Sequence, residues 1–458
     1  MPDEDDLSYL TAAALGAQYA RGALSPVEVV RATLARIARV DPRVNAFVVV
    51  DADGALEAAR AAEARFLRGE PLGPLDGVPF SVKDLLDARG LPTRRGSRAI
   101  EDVVARDDAP AVARLREGGA VLLGKTTTTE FGLRGGSDSP LTGVTRNPFD
   151  LAHATGGSSA GAVAATAAGL GAIAIGTDGG GSIRIPSAYT GVAGLKPTFG
   201  RVPNTPPTFV GAPPLVGPIA RDVADLALAL RVIARADPRD PFRAPIDDFT
   251  FDPAPRSLAG LRIASSATLG GPALAPAVAA AFARALDVLR DAGATVEEAD
   301  PDLPPSEALI ARLFATRAAD TLRSLPADKR HLVDPAVARA AAEGERVSAA
   351  ELLAVEAERV LLAQAAARFH TRFDLLVTPA IAASAPPLTT DLATLPRNPF
   401  ASPFSLTRQP ALSVPTERDA AGLPLAIQIV GRHFDEASVL RAGLAVSAAR
   451  PFVRPTHD

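Results

Sequence analysis

The sequence predicts an α/β protein, one large domain with a central mixed β-sheet flanked by helices. Three observations predict it. Helix and strand signals alternate through the first half of the chain, the pattern that packs helices against a mixed or parallel sheet. The apolar strands late in the chain have no evident second core, so they are expected to complete the first sheet. A composition of 47% hydrophobic and 22% charged residues over 458 residues suits one large core, although length alone would suggest about three domains. The expected division is a single domain over 1–458. It has N-terminal helices over 1–70, a core over 71–235, a linker and mainly helical insertion over 236–400, and return strands with a final helix over 401–449.

The elements follow in order. Ser25-Pro26-Val27-Glu28 is a capping box with proline at the first helical position. It opens a helix that Asp41-Pro42 is expected to end. An Ala-rich helix over 52–68 precedes the turns Gly73-Pro74 and Asp76-Gly77, which lead into a strand over 78–82. A helix over 109–117 stops at Gly118-Gly119, and a strand covers 120–123. A helix over 159–170 and a strand over 172–176 come next. The stretch 160–177 carries no charge, but it is mostly Ala and Gly, with few large apolar residues and no aromatic belt. It therefore reads as a buried helix and strand rather than a membrane span. The Pro- and Asp-rich segment 237–255 reads as a linker. A strand at 261–264, helices between 275 and 370, strands at 375–378, 411–414 and 425–430, and a helix over 435–449 complete the chain.

Composition excludes several chemistries. Cys is absent, so no thiol nucleophile, disulfide or Cys-ligated metal can form. Five scattered His leave little for a His-built metal site, and neither a metal nor a cofactor is expected. A net charge of −4 gives no global basic footprint, so nucleic acid is not an expected partner. The acidic opening MPDEDDLSYL lacks the basic start and apolar run of a secretory leader, so a cytoplasmic location is expected.

Two motifs invite other readings. Gly119 to Thr126, GAVLLGKT, fits a phosphate-binding loop, but its middle residues are a strand and it follows a helix. A nucleotide-binding protein is therefore the weaker alternative. Gly157 to Gly161, GSSAG, fits a nucleophile elbow centred on Ser159. The preceding residues 147–151 read as loop, however, and the candidate partners His331, His370, His433 and His457 sit in no motif.

The densest Gly/Ser region is HATGGSSAG (153–161) with GTDGGGSIRIPS (176–187). Gly179, Gly180 and Gly181 can turn several N–H groups the same way, as an oxyanion hole requires. Ser182 would be the hydroxyl beside them; the plainer alternative is a glycine turn with an N-cap serine. A serine needs a base. Only four of the 48 cationic Lys and Arg residues are Lys: Lys83, Lys125, Lys196 and Lys329. Arginine does not deprotonate in proteins, whereas a desolvated lysine can. Lys83 ends the apolar run VPFSVK and is the best candidate for burial in a polar pocket. Its alternative is an ion pair with Asp84 or another acid. Lys125 and Lys196 sit at strand-end turns, where bonding to carbonyls is expected, and Lys329 lies in a polar stretch.

These residues resemble the amidase signature family over nearly the whole chain. The motifs that carry the resemblance are GVPFSVKD (77–84), GAVLLGKT (119–126), TGGSSAG (155–161), GTDGGGSIRIP (176–186) and GLKPTFGRV (194–202). The resemblance implies a Ser–Ser–Lys triad that hydrolyses a small-molecule carboxamide. Ser182 would be the nucleophile, Lys83 the neutral base, and Ser158, after a cis peptide bond, the bridge between them. It implies oxyanion amides at Gly179, Gly180 and Gly181, an Asp178–Arg184 pair holding the loop, and supporting hydrogen bonds from Thr155, Ser159 and Thr177. A homodimer is compatible with it. The glutaminase component of a tRNA-dependent amidotransferase is the alternative. The chain departs from the family pattern in two places. Thr416-Glu417 replace a frequent Cys-Gly, and residues 204–216, the expected substrate funnel, are short and Pro-rich.

Overall fold

Lys83 and Asp178 end two neighbouring parallel strands, so the fold delivers them to the same edge of a sheet. A computed structural model describes residues 4–205, 215–244, 249–252, 257–271, 273–390 and 398–455. The main sheet has eleven strands: β1 (Phe47–Val50), β2 (Pro79–Lys83), β3 (Val121–Thr126), β4 (Ile173–Asp178), β5 (Ala193–Lys196), β6 (Leu215–Ala220), β7 (Arg262–Ser265), β8 (Thr295–Glu298), β9 (Leu375–Pro379), β10 (Ala411–Arg418) and β11 (Pro424–Gly431). Their spatial order is β1-β3-β2-β4-β6-β5-β10-β11-β9-β7-β8. One wing pairs β3, β2 and β4 in parallel. The other pairs β9, β7 and β8 in parallel. The strands between the wings are antiparallel. The sheet is therefore mixed, and the late strands do complete it: β10 joins β5 with Leu412 opposite Leu195.

The capping box forms as expected, with Ser25 and Glu28 each bonded to the other's backbone. The helix does not stop at Asp41-Pro42. It runs over Pro26–Val44, and Pro42 sits in its last turn. A proline there forfeits one hydrogen bond near the helix end. Three other bonds seal that end. Asn45 takes the left-handed conformation (φ 57°) and donates its N–H to Asp41 O, while the Asp41 carboxylate accepts from Ala46 N at 2.6 Å and Phe47 N at 3.3 Å.

Four strands of the main sheet were not expected: β1, β5, β6 and β8. Three of them are only four residues long, and β8 reads Thr-Val-Glu-Glu. β6 contains Gly217 and Pro218, which ordinarily argue against a central strand. Pro218 is tolerated because β5 pairs only with Ile219 and Ala220 on that side.

The uncharged stretch 160–177 is interior. All eight residues of the helix Ala160–Ala167 are buried, and β4 behind it is buried throughout. Among the described residues, no helix is long and apolar enough to cross a membrane. Parts of two expected segments, 206–214 of the funnel and 245–248 and 253–256 of the linker, lie outside the described residues, as does His457.

Candidate active site

Lys83 lies at the end of β2 and is fully buried. Its Nζ is 2.7 Å from Ser158 Oγ, 3.0 Å from Ser159 Oγ, 3.0 Å from Thr177 Oγ1 and 3.4 Å from Thr177 O. The expected alternative, an ion pair with Asp84, does not form. Asp84 is taken by Lys125, whose Nζ lies 3.0 Å from Asp84 Oδ1. Burial without an adjacent carboxylate pushes Lys83 down to about 7, against the smaller opposing pull of Asp178.

Ser158 follows a cis Gly157–Ser158 peptide bond, as the resemblance implies. The position before it must be glycine, because a Cβ on residue 157 would fall 2.1 Å from Gly136 O. Gly132 flanks the hydroxyl; a Cβ there would be 3.2 Å from Ser158 Oγ.

Ser159 is fully buried and precedes the helix Ala160–Ala167. Its hydroxyl donates to Thr177 O at 3.3 Å and lies beside Lys83. The nucleophile-elbow reading finds no histidine for it among the described residues. His153 pairs with Asp150, His370 Nδ1 faces Phe373 O, and His433 Nε2 faces Thr407 O. His331 sits in the Ala327–Leu332 turn on the surface. The residues before the motif are not all loop. Asp150–Ala154 form a strand, but it pairs with Arg146–Asn147 in a two-stranded ribbon outside the main sheet.

Ser182 follows the three glycines and is half-buried. Its carbonyl accepts the Ser159 N–H at 3.2 Å, which ties the two serine motifs together. Beneath this turn Asp178 and Arg184 form the expected pair, fully buried, with Arg184 Nε 2.9 Å from Asp178 Oδ2. Burial, the largest single influence, would raise the Asp178 carboxyl, but the Arg184 guanidinium, Lys196 and the Gly181 N–H together outweigh it and hold the group well below the usual carboxylate range. Asp178 also accepts the N–H groups of Gly181 at 2.6 Å and Ile183 at 3.2 Å. The Gly181 amide is thus engaged. The N–H groups of Gly179 and Gly180 have no hydrogen-bond partner among the described residues. Thr177 reaches Lys83, but Thr155 does not; its hydroxyl bonds Gly156 O in the loop leading to Gly157.

Arg184 has further partners that the sequence did not suggest. Its guanidinium donates to Gln428 Oε1 at 2.7 Å, Ser405 Oγ at 2.7 Å and Ala401 O at 3.0 Å. Gln428 lies on β11, so the late strands fasten the glycine turn from below. The other lysines are anchored. Lys125 reaches Pro92 O and Thr93 Oγ1, Lys196 reaches Pro197 O and Gln409 O, and Lys329 pairs with Glu101. The carbonyl bonding expected of Lys125 and Lys196 is present. The phosphate-loop reading has no loop to use, since β3 occupies residues 121–126. Among the described residues, no three His, Asp or Glu side chains gather to hold a metal ion.

The Amidase family model matches residues 28–440. An acylamidase of Rhodococcus erythropolis is 37% identical over 98% of this chain and 97% of its own. A glutamyl-tRNA(Gln) amidotransferase component of Acidothermus cellulolyticus is 38% identical over 97% of this chain and 95% of its own. Among solved structures, a bacterial aryl acylamidase of the amidase signature family superposes with a TM-score of 0.90 at 31% identity, covering 97% of each chain.

Proposed function

Since the chain belongs to the amidase signature family and is an amidohydrolase acting on amide C–N bonds, we propose that Ser182, Ser158 and Lys83 cleave a small carboxamide through an acyl-enzyme. The observation that carries this reading is the buried Lys83 amine, 2.7 Å from Ser158 Oγ and bonded to no carboxylate among the described residues.

Proton accounting supports it. A neutral amine has two N–H donors and one lone pair. Ser159 Oγ gives its own proton to Thr177 O, so it accepts one N–H of Lys83. Thr177 Oγ1 accepts the other. The lone pair is then left facing Ser158 Oγ–H.

In the forward step Ser182 Oγ attacks the carbonyl carbon. Its proton passes to Ser158, and the Ser158 proton passes to Lys83. The oxygen that becomes negative is met by the amides of Gly179 and Gly180. The tetrahedral intermediate collapses as the relay runs backward, protonating the departing nitrogen. Water then attacks the acyl-serine along the same route, releasing the carboxylate and restoring Ser182. The Asp178–Arg184 pair keeps the turn rigid while charge develops on it.

A second reading, a glutaminase that hands ammonia to a partner chain, draws on the 38% identity to the amidotransferase component. Hydrolysis of simple amides by the purified chain alone would count against it, and co-purification with a second chain would favour it.

The test of the nucleophile is covalent. A fluorophosphonate probe should label Ser182, located by peptide mass mapping, and Ser182→Ala should abolish both labelling and turnover. Labelling at Ser159 would overturn the assignment.

A further inference from the structure

The glycine turn that carries Ser182 has an apolar wall beside it. A Cβ on Gly180 would lie 3.3 Å from the Phe314 ring and 3.6 Å from Ile310 Cδ1. One on Gly181 would lie 2.7 Å from both Ala401 Cβ and Ile185 Cδ1. The three atoms nearest each of these two Cβ positions are all hydrocarbon carbons. Asp178 and Arg184, the charges beneath the turn, neutralise each other. Phe314 and Ile310 stand one turn apart on the helix Glu307–Ser324, and Val355 and Leu362 of the helix Ala349–Phe369 belong to the cluster that backs them. Phe314 is only half-buried.

The relay fixes which substituent of the scissile carbonyl meets this wall. Ser158 must reach the departing nitrogen, so the leaving group lies on the Ser158 side, where Gly132 and Leu85 are neighbours. Neither Ser158, Gly132 nor Leu85 is among the nearest neighbours of Gly180 or Gly181. A carbonyl oxygen held by the Gly180 amide leaves its other substituent within van der Waals reach of Phe314 and Ile310.

We propose that Phe314 and Ile310 form the acyl-binding wall of this enzyme, and that its preferred substrates are amides of uncharged aliphatic or aromatic acids. The inference rests on Ser182 as the nucleophile and goes beyond it by naming the acyl class.

The experiment uses the purified full chain and four 4-nitroanilides that share one leaving group: acetyl, hexanoyl, phenylacetyl and succinyl. Wild type should prefer hexanoyl and phenylacetyl over acetyl by about tenfold or more in kcat/KM, the range a hydrocarbon pocket supplies. The carboxylate-bearing succinyl compound should fall below acetyl. In Phe314→Ala the hexanoyl-to-acetyl ratio should drop by about tenfold, and Phe314→Leu should keep most of it. If Phe314→Ala does not fold, Ile310→Val carries the same comparison and is expected to lower the ratio. An equal loss across all four acyl groups, or a preference for succinyl, overturns the proposal. Fluorophosphonate labelling runs in parallel. A chain labelled at Ser182 with an unchanged ratio defeats the acyl wall alone. A chain not labelled at Ser182 defeats the serine reading, and the wall with it.

Discussion

Lys125 Nζ lies 3.0 Å from Asp84 Oδ1, and this buried ion pair takes from Lys83 the carboxylate nearest to it in sequence. Both partners are almost wholly buried, with side-chain exposures of 0% and 2%. Breaking a buried pair by removing one partner strands the other charge, at a cost of about 3–5 kcal/mol. Lys125→Met should therefore lower stability by that order in denaturant unfolding. Adding Asp84→Asn should recover much of the loss. A double variant as unstable as the single one would mean that Lys125 acts through packing and not through charge.

The neutral lysine has a pH signature. Burial brings Lys83 from the ordinary lysine value to about 7, so the unprotonated base predominates above that pH. Where acylation limits the rate, kcat/KM should rise with pH through about 7 and then level off. The same shift affects stability. Because the folded state binds fewer protons than the unfolded chain between about 7 and the ordinary lysine value, this group favours folding increasingly as pH rises across that window. Lys83→Arg should be as inactive as Lys83→Ala, since a guanidinium keeps its proton. A flat profile from pH 5 to 9, or an active Lys83→Arg enzyme, would remove Lys83 as the base.

Asp178 offers a test of sign. Its negative charge raises Lys83, opposing the larger effect of burial. Asp178→Asn keeps the shape and the accepting oxygen but deletes the charge. The acid limb of the pH–rate profile should then move below 7. Stability should fall as well, because Arg184 loses its only carboxylate within bonding distance among the described residues. An acid limb that moves upward would show that Asp178 does not act on Lys83 through its field.

The parts of this site that sequence makes legible are those in short, dense motifs. Lys83 ends an apolar run, and Ser158 and Ser182 sit in glycine-rich turns whose backbone demands are local. The choice between a free Lys83 and one paired with Asp84 is not local, because it turns on Lys125 in the adjacent strand β3. The supports of Arg184 are equally hidden: Ser405 and Gln428 are 221 and 244 residues away, and neither stands in a pattern of its own. Strands β5 and β6 escape notice because Gly194, Gly217 and Pro218 interrupt the alternation that marks a strand. Phe314 looks like any core aromatic until its helix is seen against Gly180.

Glu130 connects the loop beside Ser158 to the helical region. It is fully buried, and its carboxylate accepts from Ser97 Oγ at 2.6 Å and from the Asp334 N–H at 2.7 Å. Asp334 caps the helix Pro335–Gly344. Directly after Glu130 the chain takes two left-handed residues, Phe131 (φ 53°) and Gly132 (φ 68°), which bring Gly132 against Ser158. The left-handed region is unfavourable for an aromatic residue, so the conformation depends on its surroundings. Phe131 packs with Ala99, Leu325, Val333 and Val337, and Glu130 ties down the same junction. Glu130→Ala would leave two buried donors without an acceptor, a loss of about 1–3 kcal/mol each before relaxation. Glu130→Gln can accept from Asp334 N and donate to Ser97 Oγ, so it should be much milder. The expected order of thermal stability is wild type, Gln, Ala. Turnover should fall in the Ala variant through kcat, because Ser158 loses the neighbour that positions it, and Gln should restore it. If the Ala variant lost stability but kept its kcat, the loop would be a structural brace with no bearing on Ser158.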